Sequence, residues 1–267
     1  MKVCGVSPAR LESQRFPNKL LAEIDGVKVI DRVIINALQL NFIDKLILAS
    51  DSKELINYCK INYPKVEIFE MYDIKVSCGS ERIKYVYQNN NSYDYYISIP
   101  ADEPLLNPIE INSVFNKYYN SKDLYQQSIN ELYIRTFYSD FKSIKRLESL
   151  NSCKIVSRSK YFKFQNKKYK EEFVLYFSRN VIPYSKTGML NIEKYKKHIG
   201  IFIFPRDMLF KNDLWNPTKN AENEGLEQNM FIENDVKVGL IKINHNYYGV
   251  DKQEDIKELE NLLGENK

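Results

Sequence analysis

The stretch SPARLESQRFPNK (residues 7–19) gathers Arg10, Arg15 and Lys19 with two prolines and no helix or strand pattern. It directly follows a short apolar run, KVCGV. Three cations in one stiffened loop can converge on an anion of several charges, such as a triphosphate. The loop has neither G-x-x-x-x-G-K-[ST] nor G-x-G-x-x-G spacing, so side chains and loop amides would have to hold the phosphates. A solvated basic loop would contain the same residues. Two acidic positions extend the chemistry. Asp102 and Glu103, in ISIPADEPLLNP, follow another apolar run. Carboxylates there suit Mg²⁺, which takes one or two protein carboxylates and shares its remaining shell with phosphates and water. They would also serve as plain turn residues before Pro104. Asp251, in YYGVDKQEDI, again follows an apolar run. It can be a further ligand, although Asp251-x-x-Glu254 also reads as a capping box that needs no metal.

These residues need a frame that brings them together. Residues 2–7, 45–50, 66–70 and 95–99 are short apolar runs without strict alternation, as expected of parallel strands covered on both faces. Helical patterns lie between and after them, at 29–40, 52–62, 80–88 and 107–119. The alternation predicts an α/β domain with a mainly parallel twisted sheet. In such sheets ligands bind beyond the carboxyl ends of the strands, where the basic loop and Asp102 fall. An Asp-Gly hairpin signal sits in EIDGVKV (23–29). Residues 124–205 read as a strand-rich insertion, with apolar runs at 153–157, 172–177 and 199–204. The α/β character returns at 236–243, and a last helix is expected at 252–263. With no repeat or low-complexity linker, residues 1–267 read as a single domain carrying that insertion.

Bulk properties narrow the function classes. Lys and Arg number 39 against 35 Asp and Glu, too even a balance to argue for nucleic acid. Cys4, Cys59, Cys78 and Cys153 form no CxxC pair, and there are two histidines, which argues against structural zinc. Such widely spaced thiols suit a reducing cytosol. The first residues lack a signal-peptide apolar core, and no apolar run approaches the ~18 residues needed to span a bilayer. The expectation is a soluble, cytoplasmic protein with neither a nucleic-acid nor a membrane partner. With only His198 and His245 available, a Ser-His-Asp arrangement has little support.

Taken in order, the motifs resemble those of the cytidylyltransferases that activate 3-deoxy-manno-octulosonate (Kdo), a family close to the sialic-acid-activating enzymes. Pro8-Ala9-Arg10, Ser13, Arg15, Pro17, Lys19 and Leu21 are similar to that family's first motif. CGSERI (78–83), ADEP (101–104), YFSRNVIP (176–183), KHIGIFIF (197–204), LEQ (226–228) and GVDKQEDI (249–256) resemble its later ones, from residue 3 to about 263. The resemblance implies a Rossmann-like nucleotidyltransferase fold of type A. It implies that CTP and a 2-keto-3-deoxy sugar acid give a CMP-sugar and pyrophosphate with Mg²⁺, for lipopolysaccharide or capsule. It assigns Arg10 and Lys19 to the triphosphate with Arg15 in support, and Pro8, Ala9, Cys78, Gly79, Ser80 and Ala101 to the nucleotide pocket. Asp102 and Asp251 would hold the metal. Arg82, Ser178, Arg179, His198, Glu227 and Gln228 would face the sugar acid. The inserted segment would supply part of the sugar pocket and a homodimer interface.

The chain departs from the family pattern at several points. Pro100 and Ala101 stand where members have Gln-Gly before Asp-Glu-Pro, and proline offers neither an amide side chain nor an N–H. The glycine and proline of the first motif are Asn18 and Leu20, Ser80 replaces a threonine, and Met230 stands where LEQLR has its arginine. The nucleotide and metal motifs survive better than the sugar-reading ones. Other acceptors therefore stay open: a nonulosonate, an amino-Kdo or a phosphorylated small molecule. So does a nucleotide-binding protein without catalysis.

Overall fold

The computed structural model describes the chain except Gln14, Ser77, residues 121–132, residues 212–214, Asn246 and residues 265–267. It falls into two compact units, residues 1–116 with 246–267, and residues 117–245.

The first unit is built on the apolar runs named above. Strands β1 (Val3–Ala9), β4 (Lys45–Ser50), β5 (Glu67–Glu70) and β6 (Tyr95–Ser98) lie in the order β5-β4-β1-β6. Every pairing among them is parallel, with Val6 opposite Ile47 on one side and Ser98 on the other. Burial of β1, β4 and β6 on both faces explains why their sequences do not alternate. β1 runs on through Pro8. The Val6 carbonyl accepts from the Ile99 amide, and pairing with β6 stops at Val6, so the missing N–H of Pro8 leaves no ladder bond unmade.

The expected hairpin forms from β2 (Glu23–Ile24) and β3 (Val27–Lys28). Its turn places Asp25 at φ 50° and Gly26 at φ 72°, the left-handed pair that an Asp-Gly turn supplies. Helix α1 (Val29–Ala37) buries Val29, Ile30, Val33, Ile34 and Ala37 along one stripe. Helices α2 (Lys53–Asn62), α3 (Glu81–Asn89), α4 (Pro108–Tyr119) and the C-terminal helix Gln253–Gly264 lie within a residue or two of their predicted bounds. Ser52 caps α2 by accepting from the Leu55 amide.

The second unit is strand-rich, as expected. Strands β7 (Ile134–Asp140), β8 (Lys154–Phe164), β9 (Lys167–Ser178), β10 (Lys196–Pro205) and β11 (Val238–Lys242) take the order β10-β7-β11-β9-β8. β8 also pairs back to β10, so the five strands close on one another. β8 and β9 outrun the apolar runs at 153–157 and 172–177 because the far half of their hairpin is mostly exposed and polar. Gln165 and Asn166, both at positive φ, turn the chain between them. The unit extends to residue 245, beyond the 124–205 expected for the insertion. The reason is β11: its run, read as a return to the α/β pattern, pairs parallel with β7. The expected start near 124 lies outside the described residues.

Candidate active site

The basic loop leaves β1 at Ala9 and ends in a 3₁₀ turn, Lys19–Leu21. Asn18, which opens the turn, sits at φ 57°. Glycine is the easiest residue in that left-handed region and asparagine is among the best tolerated after it, which accounts for the replacement of the family's glycine. Leu20 is buried and anchors the turn. Lys19 then points inward, with a largely covered side chain. Its ammonium donates to Asp102 Oδ2 in a very short contact and to the Val250 carbonyl at 2.8 Å. It stands 3.7 Å from Asp251 Oδ1. Arg15 Nη2 donates to the same Asp251 oxygen at 2.8 Å.

The two acidic loops are joined through the main chain. The Val250 amide donates to the Asp102 carbonyl at 2.8 Å. A Cβ on Gly249 would lie 3.4 Å from that carbonyl, so glycine suits the close approach. The capping alternative for Asp251 is settled by the partners of its carboxylate, Arg15 and Lys19. Asp255 Oδ2 accepts from the amides of Asp251 at 2.8 Å and Lys252 at 2.9 Å, serving the start of the last helix. The Asp251 carboxylate is turned to the cations instead.

One monovalent ammonium thus contacts both carboxylates, so Asp102 and Asp251 converge on a single cation position. Oxygen donors converging in this way fit Mg²⁺, with phosphates and water completing its shell. Among the described residues no cluster of three or more Asp, Glu, His or Cys forms a self-sufficient metal cage.

The other nucleotide candidates lie in the same unit. Pro8 and Ala9 close β1, and Arg10 follows directly, exposed, with no ion pair among the described residues. Cys78, Gly79 and Ser80 lead into α3, with Ser80 buried, and the buried Ala101 precedes Asp102. Arg82 is differently engaged. It is buried, with Nη2 on Asp51 Oδ2 at 2.6 Å and Nη1 against Met71 Sδ at 3.7 Å. Its guanidinium ties α3 to the end of β4.

The remaining sugar-acid candidates belong to the second unit. Ser178 Oγ donates to Glu224 Oε1 at 2.7 Å, and the Arg179 amide to Glu224 Oε2 at 2.9 Å. The Arg179 guanidinium donates to three carbonyls: Glu224 at 2.9 Å, Leu150 at 3.0 Å and Gly225 at 3.1 Å. His198 Nε2 lies 2.9 Å from Thr136 Oγ1, with its ring between those of Phe177 and Phe202. Part of the residue reaches solvent, but burial of the ring pushes its pKa down to about 3, leaving it neutral. The His198 amide donates to the Cys153 carbonyl at 2.9 Å, and Gln228 Nε2 reaches Cys153 Sγ at 3.6 Å. Glu227 is half-buried beside Gln228. Two residues here escaped the sequence reading. Glu224 organises Ser178 and Arg179. Lys154, fully buried, donates to the carbonyls of Ser149, Ser152 and Arg179 at 2.6, 2.8 and 2.6 Å. A lysine among the apolar residues of CKIV was the available signal.

A cationic loop beyond a parallel strand faces two carboxylates that share one cation, at the strand ends where open α/β sheets bind ligands. The chain belongs to the cytidylyltransferase family, whose model, described as Cytidylyltransferase, matches residues 5–239. It is 32% identical over 267 residues to a 3-deoxy-manno-octulosonate cytidylyltransferase of Fusobacterium nucleatum, covering all of this chain and 98% of that one. A mitochondrial protein of the same name from Arabidopsis thaliana is 29% identical over 99% of this chain and 84% of its own. Among solved structures, CMP:2-keto-3-deoxy-manno-octonic acid synthetase complexed with CTP superimposes with a TM-score of 0.78 over the whole of both chains, at 23% identity. That match establishes a shared fold. No helix among the described residues is long and apolar enough to cross a membrane.

Proposed function

We propose that this cytidylyltransferase couples CTP to 3-deoxy-manno-octulosonate, releasing pyrophosphate and the CMP-sugar. The observation that carries the reading is the Lys19 ammonium shared by Asp102 and Asp251, with Arg15 on the second carboxylate. Cations for a triphosphate and carboxylates for a divalent ion meet at one place. The names of the full-length relatives support the acceptor.

In this reading the sugar's anomeric hydroxyl oxygen attacks the α-phosphorus, the bond to the β-phosphate oxygen breaks, pyrophosphate leaves and the hydroxyl proton is released. Phosphoryl-type transfer depends on positioning and charge neutralisation rather than on a covalent intermediate. Lys19, Arg15 and Arg10 neutralise the triphosphate. Pro8, Ala9, Cys78, Gly79, Ser80 and Ala101 shape the nucleotide pocket. Asp102 and Asp251 would hold Mg²⁺, which would supply charge stabilisation at the phosphate oxygens and a more acidic hydroxyl. Ser178, Arg179, His198, Glu227 and Gln228 serve the acceptor. Arg82 contributes by fixing α3, because Asp51 already occupies its guanidinium. A cytoplasmic homodimer working in lipopolysaccharide or capsule synthesis completes the proposal.

A second reading changes only the acceptor. Met230, at the position of the family's arginine, is 3% exposed and sits beside Asn229, whose amide clasps the Phe177 peptide at 3.2 and 3.0 Å. An arginine head group has been exchanged for core packing, which favours an acceptor with fewer anionic or hydroxyl contacts. The test is pyrophosphate release from CTP and Mg²⁺ with a panel of 2-keto-3-deoxy sugar acids. Release with Kdo above all others is expected. Preference for a nonulosonate or amino-Kdo supports the second reading, and no release with any acceptor overturns both.

A further inference from the structure

We infer that Lys19 is an internal counter-ion that bars a divalent metal from Asp102 and Asp251 until a nucleotide triphosphate draws the ammonium away. The inference rests on the metal-site reading above and concerns the order in which that site fills.

The charges balance without any ligand. Arg15 and Lys19 are each bonded to one of two carboxylates, Asp251 and Asp102, and Lys19 contacts both. Two positive and two negative charges cancel. Lys19 is the inner cation, with 12% of its side chain exposed, whereas Arg15 is 52% exposed. The Val250 carbonyl adds a third partner to the ammonium at 2.8 Å. This oxygen lies on the strap that the Val250 amide fastens to the Asp102 carbonyl, so the lock and the two acidic loops form one hydrogen-bonded unit. A metal arriving alone must expel a cation already satisfied by three oxygen partners, leaving a buried ammonium beside a dication. Magnesium also sheds its own water reluctantly. A nucleotide changes the balance. Its phosphates offer Lys19 and Arg15 stronger, more highly charged acceptors. Once the ammonium turns to the phosphates, both carboxylates face the space it left. The order follows from charge: nucleotide and metal enter together, and neither the free enzyme nor the enzyme with sugar alone retains the ion.

The test is direct binding of Mn²⁺, an oxygen-seeking stand-in for Mg²⁺, measured from the electron paramagnetic resonance signal of the free ion. It uses the full chain of wild type, Lys19→Met, Lys19→Gln and Asp102→Asn, with and without CTP and with no acceptor present. Thermal melts confirm that each variant is folded, and two neutral replacements guard against one failing to fold. Without CTP, the Lys19 variants should bind Mn²⁺ about tenfold more tightly than wild type, as expected when a close, partly screened positive charge is removed. With CTP that advantage should vanish, because the wild-type ammonium has then moved to the phosphates. Equal or weaker binding by the Lys19 variants without CTP, or an advantage that persists unchanged with CTP, overturns the inference. Asp102→Asn separates the two claims. If it keeps the full CTP-dependent gain in Mn²⁺ affinity, the metal-site reading itself fails. If it loses that gain while the Lys19 variants match wild type, the metal site stands and only the counter-ion role is lost.

Discussion

Lys154 donates its buried ammonium to the main-chain carbonyl of Arg179 across 2.6 Å, and in the same grip holds the carbonyls of Ser149 and Ser152. Arg179 returns the contact by donating to the Leu150 carbonyl at 3.0 Å. Two cations thereby pin the turn before β8 to the end of β9, where the acceptor-site candidates Ser178 and Arg179 lie. Lys154→Met keeps the length of the side chain but strands three carbonyls. It should cost about 2–4 kcal/mol of stability, within the range for unmade bonds to buried polar groups. Urea denaturation of the purified variant measures this. An unchanged midpoint would show that water or neighbouring donors replace the ammonium freely.

Asp102→Asn retains the size and one acceptor oxygen of the side chain but loses its charge. The loop backbone should survive, because the Asp102 carbonyl, not its carboxylate, accepts from Val250. Turnover should fall at least about a hundredfold, the usual scale for removing a group that stabilises developing charge. Steady-state pyrophosphate release with the melting temperature in parallel checks both halves of the statement.

Arg135 and Glu171 form an ion pair of 3.1 Å with side chains 0% and 5% exposed. Arg135 Nε and Nη2 have no hydrogen-bond partner among the described residues, although the guanidinium lies over the Tyr118 ring. Glu171→Gln would leave that charge buried and unbalanced, at about 3–5 kcal/mol. The double replacement Arg135→Met with Glu171→Leu removes both charges and should recover most of the loss. A double-mutant cycle in urea distinguishes this from simple additivity.

Acid should weaken the fold partly through His198. Burial lowers its pKa from 6.5 to about 3. Between those values the folded chain binds fewer protons at this site than the unfolded chain. This contribution is therefore complete above about pH 6.5 and declines as pH falls toward 3, by at most ~1.4 kcal/mol per pH unit. His198→Gln should flatten that part of the acid limb, read as the difference in unfolding free energy between pH 7 and pH 4.5. A slope identical to wild type would mean that the imidazole is already solvated.

The sequence by itself determined the alternating frame of the first unit. Runs such as KLILAS read as strands covered on both sides, and Asp25-Gly26 supplies the backbone torsions that its hairpin turn demands. It also placed Arg15, Lys19 and Asp102 after strands, where such sheets bind ligands; Asp251, expected after a strand as well, follows irregular chain instead. Local pattern could not decide between partners far apart in the chain. Whether Asp251 capped a helix or faced a cation became visible only once its carboxylate stood 2.8 Å from Arg15 and 3.7 Å from Lys19. Arg82, assigned to the sugar acid by resemblance, has its guanidinium on Asp51, 31 positions earlier. Lys154 lay unremarked inside the apolar run 153–157, and only folding surrounded it with carbonyls. β11 carried the pattern of the first unit, and its pairing with β7 assigned it to the second. Propensity and periodicity act over a few residues, whereas the pairing of charges and strand edges is a contest among all groups that the fold brings within a few ångströms, and only the tertiary structure settles it.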